Sequence, residues 1–304
     1  MKFLFSALLL IAFTEALVPA ERTRRQTFGD IAAASAGFGL VGSNSMPALA
    51  AEMDTKKTLR DSFPGAMPND MLLERVGLKL IRSGFTKDTT LVASSFCSDE
   101  VNRPLEDTFL KYYGNHFSMG GLAGFPFSGV TGFAAMASHI PDNGNCLLVY
   151  GPHVGVNGEG KVGTVERKGQ QKSGACCGSA VAASRYLKQV IDGDADQMGP
   201  PSAALDAQQA YVSNMLLPYA SEITYAKDPM VVLPYATFKP IDGMMNKIVA
   251  AASSKIGPNG KVALLGGLQI NTPEGLSDYF LPLRFEVRDS SNKLLSDDLL
   301  DIMV

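Results

Sequence analysis

Tryptophan is absent from the chain, histidine occurs 3 times and cysteine 4 times in 304 residues. That scarcity confines any metal site to Cys97, Cys146, Cys176, Cys177, His116, His139 and His153. Cysteines this few and this unevenly spaced cannot make a disulfide framework, and leave room for one incidental bridge at most. Charge of either sign is also without surplus. The 27 Lys and Arg against 30 Asp and Glu give a net charge of -3, which excludes the basic excess of a nucleic-acid-binding protein. No apolar run approaches the roughly 20 residues of a membrane-spanning helix, so the mature chain reads as soluble, with no stable transmembrane segment. What is present is core: 46% hydrophobic residues with 19% charged suit a globular protein with a sizeable interior.

The first fifty residues read as an address. Lys2, an apolar run over 3–13 and small residues at Thr14 and Ala16 make a secretory signal peptide of 1–16. Arg22-Thr23-Arg24-Arg25-Gln26-Thr27-Phe28 is hydroxylated, basic and poor in acid. An Ala/Gly-rich run and Ala48-Leu49-Ala50 follow it, giving 17–50 the layout of a plastid transit and twin-arginine-like thylakoid signal. Two export signals in series resemble the import route into the thylakoid lumen of algae with secondary plastids. The expected mature protein is therefore a single domain, 51–304, in the plastid and there in the thylakoid lumen.

Within that domain apolar helical and extended segments alternate. Pro68-Asn69-Asp70 starts and Gly84 stops a helix with Leu72, Leu73, Val76, Leu80 and Ile81 on one face. Thr89 to Ala93 is a short buried strand, and a helix after Asp99 carries Leu105, Phe109 and Tyr112 inward, with Asp99 as its cap. The Gly-rich stretch 119–129 leads into a helix over 130–138. Further strands fall at 145–150, 261–266 and 279–287, and further helices at 175–190, 203–217 with Ser202 as cap, and 242–252. The fold class is α/β, a mostly parallel or mixed sheet with helices on both faces. Sites in such sheets lie at the carboxyl ends of strands.

Those ends carry the chemistry. Cys97, Asp99 and Arg103 follow the first strand, and His153 follows the second within Gly151-Pro152-His153-Val154-Gly155. Cys176-Cys177-Gly178 opens a later helix. Cys, His and Cys would bind Zn2+ and leave a fourth position open, as a catalytic zinc site requires. Taken singly, each cysteine is as well explained by burial. Cys146, mid-strand, reads as core, and His116 and His139 as structural residues at helix ends. Gly155 to Lys161 has the spacing of a phosphate-binding loop but ends on Val162, where Ser or Thr should bind Mg2+. A cysteine nucleophile activated by His153 is a further alternative, though it gives no reason for the acid and base beside Cys97.

Cys97-x-Asp99-x-x-x-Arg103, Gly124-Phe125-Pro126-Phe127-Ser128-Gly129, Tyr150 to Gly155 and Ala175-Cys176-Cys177-Gly178-Ser179-Ala180 resemble, in that order, the limiting-CO2-inducible protein B family and the theta-type carbonic anhydrases of algae. The resemblance covers about Thr58 to Asp301. It implies a fold similar to beta-class carbonic anhydrase, a homodimer, and zinc held by Cys97, His153 and Cys176, with Cys177 the alternate ligand. It also implies an Asp99–Arg103 dyad. The activity implied is reversible hydration of CO2 to bicarbonate by zinc-bound hydroxide, in an algal carbon-concentrating system. Asp99 would orient the hydroxide or ligate zinc itself in a closed state. Gly121, Phe125 and Phe127 are expected to wall an apolar CO2 pocket. The alternative of another class is a catalytically silent zinc or bicarbonate-binding scaffold of the same fold.

Overall fold

The computed structural model describes residues 45–196, 204–296 and 299–300. The expected signal peptide and most of the second signal lie outside the described residues. Helix α1 (Ser45–Ser62) runs through the expected cleavage point near Ala51. In chain order there follow β1 (Met67–Pro68), α2 (Asn69–Leu80), β2 (Thr90–Ser95), α3 (Arg103–Tyr113), β3 (His116–Ser118) and α4 (Gly129–Ala137). Next come β4 (Asn145–Tyr150), β5 (His153–Gly155), β6 (Thr164–Val165), β7 (Gly174–Ala175), α5 (Gly178–Asp192), α6 (Ala207–Leu216), α7 (Ala220–Thr224) and α8 (Pro229–Ala252). The chain closes with β8 (Lys261–Asn271), β9 (Tyr279–Asp289) and β10 (Leu294–Ser296). The described residues fall in one compact unit, Ser43–Val304, and no helix among them is long and apolar enough to cross a membrane.

The strands form a sheet ordered β1-β9-β8-β4-β2-β3, parallel from β3 to β8 and antiparallel where β9 joins β8. β2 and β4 are buried at every position, which is why their sequences run apolar rather than alternating. Successive side chains still part to opposite faces. Leu91, Ala93, Cys146, Leu148 and Leu264 join α4, α5, α6 and α8, whereas Val92, Leu147, Val149 and Leu265 join α2 and α3. The sheet is thus covered on both faces, as the alternation of elements predicts.

Local differences have local causes. Ile81 is 55% exposed because α2 passes at Leu80 into a 3-10 turn that rotates it off the core face. A 3-10 turn over Glu100–Asn102 precedes α3, and Tyr113 is buried in the core while Tyr112 packs half-buried against it. Asp99 caps that turn, accepting from Val101 N at 3.5 Å. α6 starts at Ala207, and Ser202 lies outside the described residues. His116 sits in β3 rather than at a helix end. Helix α8 begins at Pro229, well before residue 242, and contains Pro234 and Pro240. Proline reads as a helix breaker because it lacks an N–H. Here Asp228 caps the first turn, and the buried Leu233, Ala236, Ile241, Met245 and Val249 hold the helix against the sheet.

What brings β4 and β8 close enough to place the site is a stack of glycines. A Cβ on Gly151 would lie 1.7 Å from Gly267 O, and one on Gly124 would lie 2.3 Å from Gly151 O. With no side chain at either crossing, β4 continues past Pro152 into β5, which pairs with the second half of β8 and aligns His153 with Gln269.

Candidate metal centre

Three segments meet beyond the ends of the parallel strands. Cys97 lies just past β2, His153 opens β5, and Cys177 is the N-cap residue of α5, where the positive end of the helix dipole points. Cys97 Sγ is 3.7 Å from Cys177 Sγ. Cys97, Cys177 and a ring nitrogen of His153 present ligand atoms within 4.8 Å of one another, and all three residues are buried. Cys176 faces another way. Its sulfur lies 3.4 Å from His153 Nδ1 and 3.7 Å from Asn271 Oδ1, and it groups with Asp99 and His153 rather than with Cys97. The neighbouring Cys177 sulfur, and after it burial, push the Cys97 thiol well above its ordinary value. Thiols crowded in this way give up their protons to a cation more readily than to water.

His153 Nδ1 and Asn271 Oδ1 are 2.8 Å apart, while His153 Nε2 is buried with no partner. A buried polar nitrogen left in this condition is costly unless something binds it. Two sulfurs and this imidazole are the donor set of a zinc site with one position to spare, and the residues fit that ion. Asp99 Oδ2, 3.9 Å from His153 Nε2, borders the spare position.

The structure does not bring Arg103 to Asp99. Arg103 ion-pairs with Glu106 of its own helix, and Glu106 also accepts from Ser94 Oγ at 2.5 Å. Asp99 is instead met by Arg167, whose Nη2 lies 2.7 Å from Asp99 Oδ2 and whose Nε lies 3.0 Å from Glu100 Oε1. Burial works against charge on Asp99, but the Glu100 hydrogen bond, His153 and Arg167 outweigh it and hold the carboxyl below its ordinary value. Arg167 follows β6 in a Gly- and Lys-rich stretch that shows no periodicity, so nothing in the local sequence singled it out. Asn271 was missed as well, because β8 runs well past residue 266.

Two cavities flank the centre. A cleft of about 780 Å3 is bordered by Glu100, Val101, Arg167, Asn271 and Asp278, and a narrow space of about 10 Å3 by His153, Cys176, Cys177, Ala180 and Leu233. Gly121, Phe125 and Phe127 line neither. Phe125 is buried with its ring against Tyr211 and Phe127, in the same apolar cluster as Cys97 and Cys177. Gly121 packs beside Phe127 and Gln208. Cys146 is buried within β4, and His116 bonds Ser94 Oγ at 2.7 Å. The phosphate-loop look-alike is a turn in which Asn157 Oδ1 accepts from Glu159 N and Lys161 N, with no helix after it.

The sequence profile of the limiting CO2-inducible proteins B/C beta carbonic anhydrases matches residues 66–289. The chain belongs to that family. Among solved structures, it is similar to PtLCIB4, a homolog of the limiting CO2-inducible protein LCIB, at 48% identity and TM-score 0.76, covering 80% of this chain and 100% of that one. It is also similar in fold to LCIB itself, at 22% identity and TM-score 0.62, over 79% of this chain and 97% of that one. No curated protein matches the chain. Membership of the limiting CO2-inducible B/C family accounts for the α/β sheet.

Proposed function

We propose that the protein reversibly hydrates CO2 at a zinc ion held by Cys97, His153 and Cys177. The observation that carries this reading is the buried, partnerless Nε2 of His153 beside two sulfurs 3.7 Å apart. Zinc bound there would supply an open Lewis-acid position at which water loses its proton near neutrality. Asp99 would accept a hydrogen bond from the reacting water and fix the direction of its lone pair. Arg167 would keep Asp99 ionised and aligned, the part expected of Arg103. CO2 and bicarbonate would pass by the cleft that Arg167 and Asn271 border, and Phe125 would pack the wall behind Cys97 rather than touch substrate.

Family membership gives fold more surely than activity. A second reading, a zinc-holding protein without hydratase activity, is favoured by the approach of Asp99 Oδ2 to 3.9 Å of His153 Nε2, which would let Asp99 itself fill the fourth position. Purified residues 45–304 should contain about one zinc per chain and hydrate CO2 in a stopped-flow pH assay. Zinc without hydration would select the second reading, and a protein without zinc would end both.

The two serial signals support a place in the thylakoid lumen. A fluorescent fusion of residues 1–60 should enter the plastid, and cytosolic fluorescence would sink that assignment.

A further inference from the structure

The hydrogen bonds around Asn271 leave only one arrangement of donors and acceptors. Its Nδ2 lies 2.9 Å from Val101 O and 3.3 Å from Asp278 Oδ2. A backbone carbonyl can only accept, so the group facing Val101 must be the amide NH2, and Oδ1 must face the imidazole. Oδ1 can only accept in turn, so His153 Nδ1, 2.8 Å away, must carry the ring proton. In the neutral ring that binds a metal, the remaining nitrogen, Nε2, is then the one with the lone pair, and it is the one left without a partner.

Asn271 also reaches the other half of the centre. Val101, whose carbonyl it holds, donates its N–H to Asp99 Oδ1. One buried amide at the end of β8 therefore ties the His153 imidazole to the turn that carries Asp99. Cys176 is the competing acceptor, its sulfur 3.4 Å from the same Nδ1. If the Nδ1 proton were not committed to Asn271, Nδ1 would offer its lone pair on the Cys176 side, among the second cluster of potential ligands, Asp99, His153 and Cys176.

We infer that Asn271 is a positioning residue that fixes His153 as an Nε2 ligand, selects Cys177 over Cys176 as the second thiolate, and holds Asp99 in register with the metal. This rests on the zinc reading above. A neutral amide does this without adding charge. The Asp278 carboxylate stands one hydrogen bond further out, behind the amide.

The test is zinc affinity, read by competition with a chromophoric chelator, together with the visible spectrum of the Co2+-substituted protein. Asn271→Leu should weaken zinc binding by about 10- to 100-fold, the usual cost of losing such a partner, and should alter the Co2+ bands. A Leu variant that binds zinc within twofold of wild type, with an unchanged Co2+ spectrum, overturns the inference while leaving the zinc reading intact. A wild type that binds no zinc overturns both. A measurement on wild type alone covers the case of a variant that does not fold. In protein labelled with 15N-histidine and loaded with 113Cd, the metal coupling should appear on His153 Nε2 and the proton on Nδ1. Coupling on Nδ1 overturns the inference.

Discussion

Asp99 is paired with Arg167, 2.7 Å away and 68 residues later in the chain, and not with Arg103, which stands in the following helix turn and binds Glu106. The distinction separates two arginines that the local sequence makes look alike. Arg167 has 15% of its side chain exposed and borders the cleft beside the candidate metal centre, whereas Arg103 has 48% exposed and braces the start of α3.

Replacing each arginine by leucine should therefore have opposite outcomes. Arg167→Leu removes the partner of Asp99 and should lower kcat for CO2 hydration by about 10- to 100-fold at unchanged zinc content. Arg103→Leu should leave kcat within about twofold and cost about 1–3 kcal/mol of stability, because it leaves the buried Glu106 carboxylate with a lost charged partner. Rates from stopped flow and urea midpoints on both variants decide the matter. A catalytic loss confined to Arg103→Leu would restore the dyad that the resemblance implied.

The cysteine doublet makes a second prediction. Cys177→Ser and Cys97→Ser should abolish stoichiometric zinc, since each removes one of two sulfurs 3.7 Å apart. Cys176→Ser should keep zinc bound, with an affinity change of no more than about tenfold from its contact with His153 Nδ1. Metal content after dialysis against a weak chelator measures this directly, and retention of zinc by Cys177→Ser alone would reverse the assignment.

The fold was largely legible because its strongest elements follow one rule each. β2 and β4 are short apolar runs bounded by turns, and α2 and α3 carry one apolar stripe each; burial of those faces is what the structure reports. The positions of Cys97 and His153 were legible for the same reason, since each stands just beyond a strand whose end could be read. Arg167 and Asn271 were not, because their roles depend on contacts across 68 and 118 residues, and no local pattern encodes a contact of that span. The first half of α8 is not legible locally, because Pro234 and Pro240 carry a preference against helix that packing against the sheet overrides. The choice between Cys176 and Cys177 turns on which side of one strand-to-helix corner each sulfur faces, and adjacent residues in sequence do not reveal it.

The glycine stack predicts where the chain is least tolerant. Gly151 has φ +152° and would set a Cβ 1.7 Å from Gly267 O. Gly151→Ala cannot be absorbed by a side-chain rotation, because both partners are backbone. It should cost about 3 kcal/mol and, by displacing His153 two residues on, should lower zinc affinity as well. Thermal unfolding and chelator competition on the same variant test the link. Gly178, with no atom near the site of an added Cβ, is the control, and its alanine variant should change neither.

Asp278 ties stability to pH with a sign opposite to that of a paired carboxylate. Burial raises its carboxyl above the ordinary value of 3.8, and bonds from Thr272 N, Asn271 and Thr272 Oγ1 only partly offset this. A carboxyl that holds its proton more tightly folded than unfolded stabilises the native state fully below its unfolded value. That contribution is lost as pH rises through the higher folded value, and it is absent above both. Wild type should therefore lose stability relative to Asp278→Asn as pH rises from 3.8 through the raised folded value, and the difference should then stay constant to neutrality. Urea midpoints of the metal-free proteins at half-unit steps of pH would trace the curve. A difference that does not change with pH would mean that Asp278 ionises alike in the folded and unfolded chain, and that its bonds to Asn271 and Thr272 balance its burial.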